Sequence, residues 1–227
     1  MTRIYPVLAS LALALLAINV FVGLGTGDYN GESSEWRRLR LEVYTLRAAS
    51  RAQPGALDQA TKQWEAQSDR VRPLQRWVSS HMLLGVVASL STLLVSSIAV
   101  TYFIGTDRWC REVVETYSLD GSYIRRSYQQ KRRAFPWALS AMFMVLGISA
   151  LGAASDPGTL RTQTAWWVTP HLILAFVGVA WIAVAMVGQY ACITAQVQII
   201  EDVMAEVHRV RRERGLPVEA SELNTPS

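Results

Sequence analysis

Four stretches of this chain, about 5–26, 78–104, 135–155 and 165–199, contain no Asp, Glu, Lys or Arg. Each is long enough to carry a helix across a hydrocarbon core of about 30 Å, which takes roughly 20 residues. In lipid only helices and closed barrels satisfy their own backbone groups, and continuous apolar runs without alternation favour helices. The expected fold class is therefore an all-α integral membrane protein with four transmembrane helices. Apolar residues make up 51% of the chain and charged ones 18%, but the segregation of charge says more than its average.

The first run, from Ile4 to about Leu24, follows a single Arg3, and GLGTG after it can pass as a weak cleavage site. A signal-peptide core is usually about 7–15 residues, shorter than this run. An uncleaved membrane helix is expected. The spans then divide the chain. Residues 1–104 hold span 1 (about 5–26), an outer helical hairpin (about 33–77) and span 2 (about 78–104). Residues 105–134 form a basic inner segment. Residues 135–215 hold span 3 (about 135–155) and span 4 (about 165–190), which continues as a helix beyond the membrane. A tail at 216–227 is expected to be disordered.

Loop charge sets orientation. Arg108, Arg111, Arg125, Arg126, Lys131, Arg132 and Arg133 lie between spans 2 and 3, and Arg209, Arg211, Arg212 and Arg214 follow span 4. Between spans 3 and 4 there is only Arg161. Both termini are thus expected in the cytoplasm. Segment 27–77 carries nine basic residues, but seven acidic ones offset most of that charge. Basic residues are nearly all Arg, with Lys62 and Lys131 the two lysines, a bias that suits a GC-rich bacterial genome and a cytoplasmic (inner) membrane. Cys110 and Cys192 near the inner face are expected to be reduced thiols, not a disulfide framework.

The chain repeats itself. WVSSHMLLG (77–85) returns as WVTPHLILA (167–175), at an offset of 90. RIYPVLAS (3–10) returns as RAFPWALS (133–140), at an offset of 130, with a proline taken to sit near each helix start. Two tandem helix–loop–helix repeats in parallel orientation are expected, the first longer by about 40 residues in its outer loop. Span 2 then corresponds to span 4, and His81 to His171.

Each histidine heads a stripe of small residues. Gly85, Ala88, Ser89, Thr92, Ser96 and Ala99 follow His81; Ala175, Gly178, Ala185 and Gln189 follow His171. Small faces let membrane helices approach closely, which makes the plain reading a packing interface with two interfacial imidazoles. The sharper reading is a haem b held between spans 2 and 4, with His81 and His171 as axial iron ligands and Gly85, Ala175 and Gly178 leaving room for the macrocycle. Four-helix membrane cytochromes b use inward-facing histidines in this general way; the likeness is of architecture, not of motif. A quinone or a weak metal site is a further alternative. Ion pumps and proton relays usually need ionisable groups at membrane depth, and these spans have none. Asn19 and Gln189 are the notable intramembrane amides, the former expected to bond a neighbouring helix. No Walker loop, GxSxG, HExxH or CxxC occurs, so no familiar hydrolase or nucleotide chemistry is expected.

The leading expectation is thus a non-catalytic accessory or scaffolding subunit of a bacterial membrane complex, with a cytochrome-like electron-transfer subunit next and a membrane sensor third. Partners would be lipid, other membrane subunits or a second copy, and not nucleic acid. In the outer segment Ser33 or Ser34 is expected to cap a helix bearing Trp36, Leu39, Val43 and Leu46 on one face. After a break at Pro54-Gly55, a second stripe (Leu57, Ala60, Trp64, Val71, Leu74, Val78) leads into span 2, kinked at Pro73. Inside, Thr106 or Asp107 is expected to cap a short helix, and a turn at Asp120-Gly121 to precede an interfacial helix. There Arg125, Arg126, Lys131, Arg132 and Arg133 would meet anionic lipid. Beyond span 4, the stripe Ile199, Ile200, Val203, Val207 and Val210 is expected to pack on Val113 and Val114 or on a second chain.

Overall fold

A computed structural model describes residues 1–49, 54–159 and 163–217. Within them the protein is helical throughout, with five α-helices: α1 (Ile4–Leu24), α2 (Tyr29–Ala48), α3 (Pro54–Tyr117), α4 (Ser122–Ser155) and α5 (Val168–Glu213). Short 3-10 turns at Pro157–Thr159 and Thr164–Trp167 link the last two. Helices α1, α3, α4 and α5 are each long and apolar enough to cross a membrane. Arg161, Pro54 as a side chain and the tail beyond Pro217 lie outside the described residues.

The helices run further than the spans. Helix α3 is 64 residues long and contains the second hairpin arm, span 2 and the expected short inner helix without interruption. Thr106 and Asp107 therefore cap nothing; the Thr106 hydroxyl donates to the Tyr102 carbonyl four residues back. Likewise the segment expected as a separate interfacial helix is the first part of α4. Pro136 thus lies well inside α4, not near its start, and Pro73 lies inside α3. Each removes one i→i−4 bond from an otherwise continuous helix. Charged residues end a membrane span because lipid rejects them, but Arg, Glu and Lys are good helix formers, so the helix itself continues.

Helix ends follow capping chemistry. Asp28, not Ser33 or Ser34, caps α2, accepting from the Gly31 amide at 2.9 Å. At the end of α3 the Leu119 amide bonds the Val114 carbonyl (2.9 Å) and Ser118 takes φ 56°. The same pattern ends α5, with Leu216 to Arg211 at 2.9 Å and Gly215 at φ 67°. Both are Schellman closures, which need a left-handed residue after the helix. Asp120 accepts from the Ser122 amide (2.9 Å) and starts α4, as the expected turn requires.

Contacts sort the described chain into two compact units. The first comprises Met1–Ala9, Leu94–Met142 and Ala183 to the end of α5. Its core is Cys110, Val114, Ile199, Val203 and Val207, so the stripe on α5 packs on α3 within the chain. Tyr5 is buried, stacks on Tyr190 at 6.3 Å and donates to the Met186 carbonyl. Asp107 pairs with Lys131, and Gln196 donates to Ser127 at 2.9 Å. Both cysteines are free and buried.

The second unit comprises Ser10–Leu93 and Phe143–Ile182. Here α2 folds back on the first part of α3. The Trp36 indole donates to Ser68 (2.9 Å), Gln67 donates to Glu32, and Leu39, Val43, Ala60 and Val71 are buried. Asn30 ties the hairpin to the rest of the unit. It donates to the Ser155 carbonyl (3.1 Å) and accepts from Thr164 (2.8 Å).

Candidate functional site

The second unit brings the two sequence-predicted histidines together. Trp77 and His81 are one turn apart on α3 and project from one face. Both reach α1. The Trp77 indole donates at 2.8 Å to the Val22 carbonyl in the last turn of α1, which also accepts from the Gly25 amide at 3.1 Å. The Nδ1 of His81 donates to the Asn19 carbonyl at 3.1 Å. A carbonyl oxygen only accepts, so in the neutral imidazole Nδ1 carries the proton and Nε2 keeps its lone pair.

Two glycines make this approach feasible. A Cβ on Gly23 would stand 2.8 Å from Cε1 of His81, and one on Gly25 would stand 2.7 Å from the Trp77 indole nitrogen. Helix α5 treats His171 similarly. A Cβ on Gly152 of α4 would lie 3.1 Å from Cε1 of His171. The buried Nδ1 of His171 is near the Ile148 carbonyl without closing a bond of normal geometry.

The ring centres of His81 and His171 are 6.3 Å apart, with planes at 65°. Among the described residues, no His, Cys, Asp or Glu completes a set of three around them or elsewhere. The small residues named with them are placed as follows. Ala175 is buried. Gly85 is faced by the Asn19 amide, 3.1 Å from where a Cβ would stand. Gly178 is faced by Ile148 and Met144, at 2.6 and 3.1 Å. These glycines thus admit neighbouring side chains, and Asn19 meets its neighbour helix through both its carbonyl and its side chain.

Sequence reasoning missed Gly23, Gly152 and Ile148. The offset of 130 aligns Gly23 with Ala153, one residue from the glycine that touches His171. The contacts correspond instead at 129: Gly23 with Gly152, and Asn19 with Ile148. A one-residue shift along a helix moves a side chain by 100°, so the aligned pattern hid the pair.

The basic residues between the second and third apolar runs divide. Arg126 pairs with Asp202 at 2.8 Å and Lys131 with Asp107, while Arg125, Arg132 and Arg133 are exposed. No family model matches the chain, no curated protein is significantly similar to it, and no solved structure matches it.

Proposed function

We propose that this is a four-span membrane protein of two parallel repeats that carries a b-type haem on His81 and His171, and that it serves as an electron-transfer subunit. The observation that carries the reading is the 6.3 Å between the two ring centres. A metal–imidazole bond is about 2.0–2.1 Å and the ring centre lies roughly 1 Å further, so two imidazoles on one metal ion have centres roughly 6 Å apart. The 65° between the ring planes is compatible with both imidazoles holding one haem iron, since each ring would be free to rotate about its own bond to the metal. The donor count also favours haem. Two protein nitrogens are too few for an ordinary zinc site, whereas a porphyrin supplies four donors of its own.

Haem would supply a one-electron couple. The chain's residues do the rest. Asn19 fixes the His81 tautomer by accepting from Nδ1, and this outer-shell bond leaves Nε2 free as the ligand. Gly23 and Gly152 let the rings seat against α1 and α4. The Asn19 side chain, which faces Gly85, and those of Ile148 and Met144, which face Gly178, would have to turn aside to admit a macrocycle.

The reading is tested on protein purified in detergent from cells with normal haem supply. A reduced-minus-oxidised spectrum with alpha and Soret bands, lost in both His81→Ala and His171→Ala, is the expected result. A colourless preparation overturns it. The accessory or scaffolding reading then stands, favoured by the side chains that fill the faces of Gly85 and Gly178. For orientation, the arginine distribution supports both termini in the cytoplasm of a bacterial cell. Contact with anionic lipid would rest on Arg125, Arg132 and Arg133, since Arg126 and Lys131 have carboxylate partners.

A further inference from the structure

The hairpin of the second unit holds a groove of about 790 Å³ between α2, the first part of α3 and the Pro157–Gly158 turn. It shares no residue with the histidine pair, so neither reading depends on the other. Its apolar walls are the indoles of Trp36 and Trp64, with centres 6.4 Å apart and planes tilted by 42°. The Arg40 guanidinium lies 5.1 Å from the centre of the Trp36 ring. Arg37, also lining the groove, donates to the Pro157 carbonyl at 2.6 Å.

Two lining side chains carry polar atoms that the protein leaves unsatisfied. They are Oγ of Ser33, a residue only 7% exposed, and Nε1 of Trp64. Their neighbours are partnered: the Trp36 indole has Ser68, and Gln67 has Glu32. A buried donor without an acceptor is unfavourable, and an indole N–H can do nothing but donate. An acceptor from outside the chain would satisfy them.

The groove chemistry narrows that acceptor. Two hydroxyl or N–H donors among guanidinium groups suit an anionic oxygen. Indole faces suit a flat ring that stacks on them. Glu65 and Asp69 also line the groove and oppose a second negative charge. We propose that this groove binds a small aromatic monocarboxylate, its ring against Trp36 and Trp64 and its carboxylate accepting from Trp64 Nε1 and Ser33 Oγ.

The test uses the full chain in detergent and ligand-observed NMR with benzoate as the probe. Acetate carries the charge without the ring, and benzylamine the ring with the opposite charge. Saturable benzoate binding, at least about tenfold tighter than either comparator, is expected. Trp64→Phe keeps the ring but removes the donor, and Ser33→Ala removes the hydroxyl; each is expected to weaken benzoate about tenfold at an unchanged melting temperature. Absence of saturable benzoate binding, equal binding of benzylamine, or wild-type affinity in both variants overturns the proposal. If one variant fails to fold, the other decides.

Discussion

Gly23 sits so close to His81 that a methyl group in place of its hydrogen would meet the imidazole at 2.8 Å. The matching distance from Gly152 to His171 is 3.1 Å, and at Gly105 nothing lies within 4 Å. Overpacking of this kind destabilises by about 1–3 kcal/mol. Gly23→Ala is therefore expected to lower thermal stability in detergent by that amount and Gly152→Ala by less. Gly105→Ala, in open space within α3, should raise stability by up to about 1 kcal/mol through helix propensity. Equal behaviour of Gly23→Ala and Gly105→Ala would contradict the packing described.

Ser118 holds φ 56° at the end of α3, a region that non-glycine residues occupy at a strain of about 1 kcal/mol. Glycine removes that strain but gains freedom in the unfolded chain. The net expectation for Ser118→Gly is stabilisation of about 0.5 kcal/mol, read as a higher midpoint in chemical unfolding. Ser118→Val, with a branched Cβ in the same backbone geometry, should lower the midpoint.

Asp107 is 5% exposed and has Lys131 as its ion-pair partner. Removing one member of a buried pair leaves the other charge uncompensated, at about 3–5 kcal/mol. Lys131→Met is expected to destabilise on that scale. Asp107→Asn combined with Lys131→Met should recover part of the loss, and a double variant worse than Lys131→Met alone would show that the pair is not the reason.

Near the end of α5, Arg209 donates to Glu206 and, at 2.7 Å, to Glu213. The bond from Arg209 holds the Glu206 carboxyl below its ordinary value of 4.5. The folded state then binds this proton less readily than the unfolded chain does. The contribution is present at neutral pH and fades as the pH falls below about 4.5 through the depressed value. Amide exchange across the last turns of α5, corrected for intrinsic rates, should quicken in that acid range. Glu206→Gln should abolish the pH dependence; a retained slope would assign it to another group.

Much of this architecture is legible in the sequence because lipid imposes a coarse rule: the four uncharged runs correspond to α1, α3, α4 and α5. The hairpin is equally legible, since Leu39, Val43, Ala60 and Val71 fall at helical spacing and are buried. What is not legible is where helices stop. Charge at Asp107 and Arg108 ends the apolar run, yet neither residue breaks a helix, and α3 continues to Tyr117. The cap at Asp28 is masked by Asn30-Gly31, which reads as loop. Gly31 is small because the Asp28 carboxylate occupies the place of its side chain. At the histidine pair, the residue type is visible from the repeated phrase. Its supporting glycines are not, because they lie on other helices and out of register with the matched motif.

The link from Trp77 and His81 to α1 bears on how the chain tolerates proteolysis. Both side chains are anchored on carbonyls of the first helix, those of Val22 and Asn19. A peptidase that cut near Gly25 and released the preceding segment would detach two anchors in one event, leaving an indole N–H and an imidazole N–H without acceptors. The N-terminal helix is thus a structural wall of the histidine site, and any tagged or shortened version used for spectroscopy has to retain it.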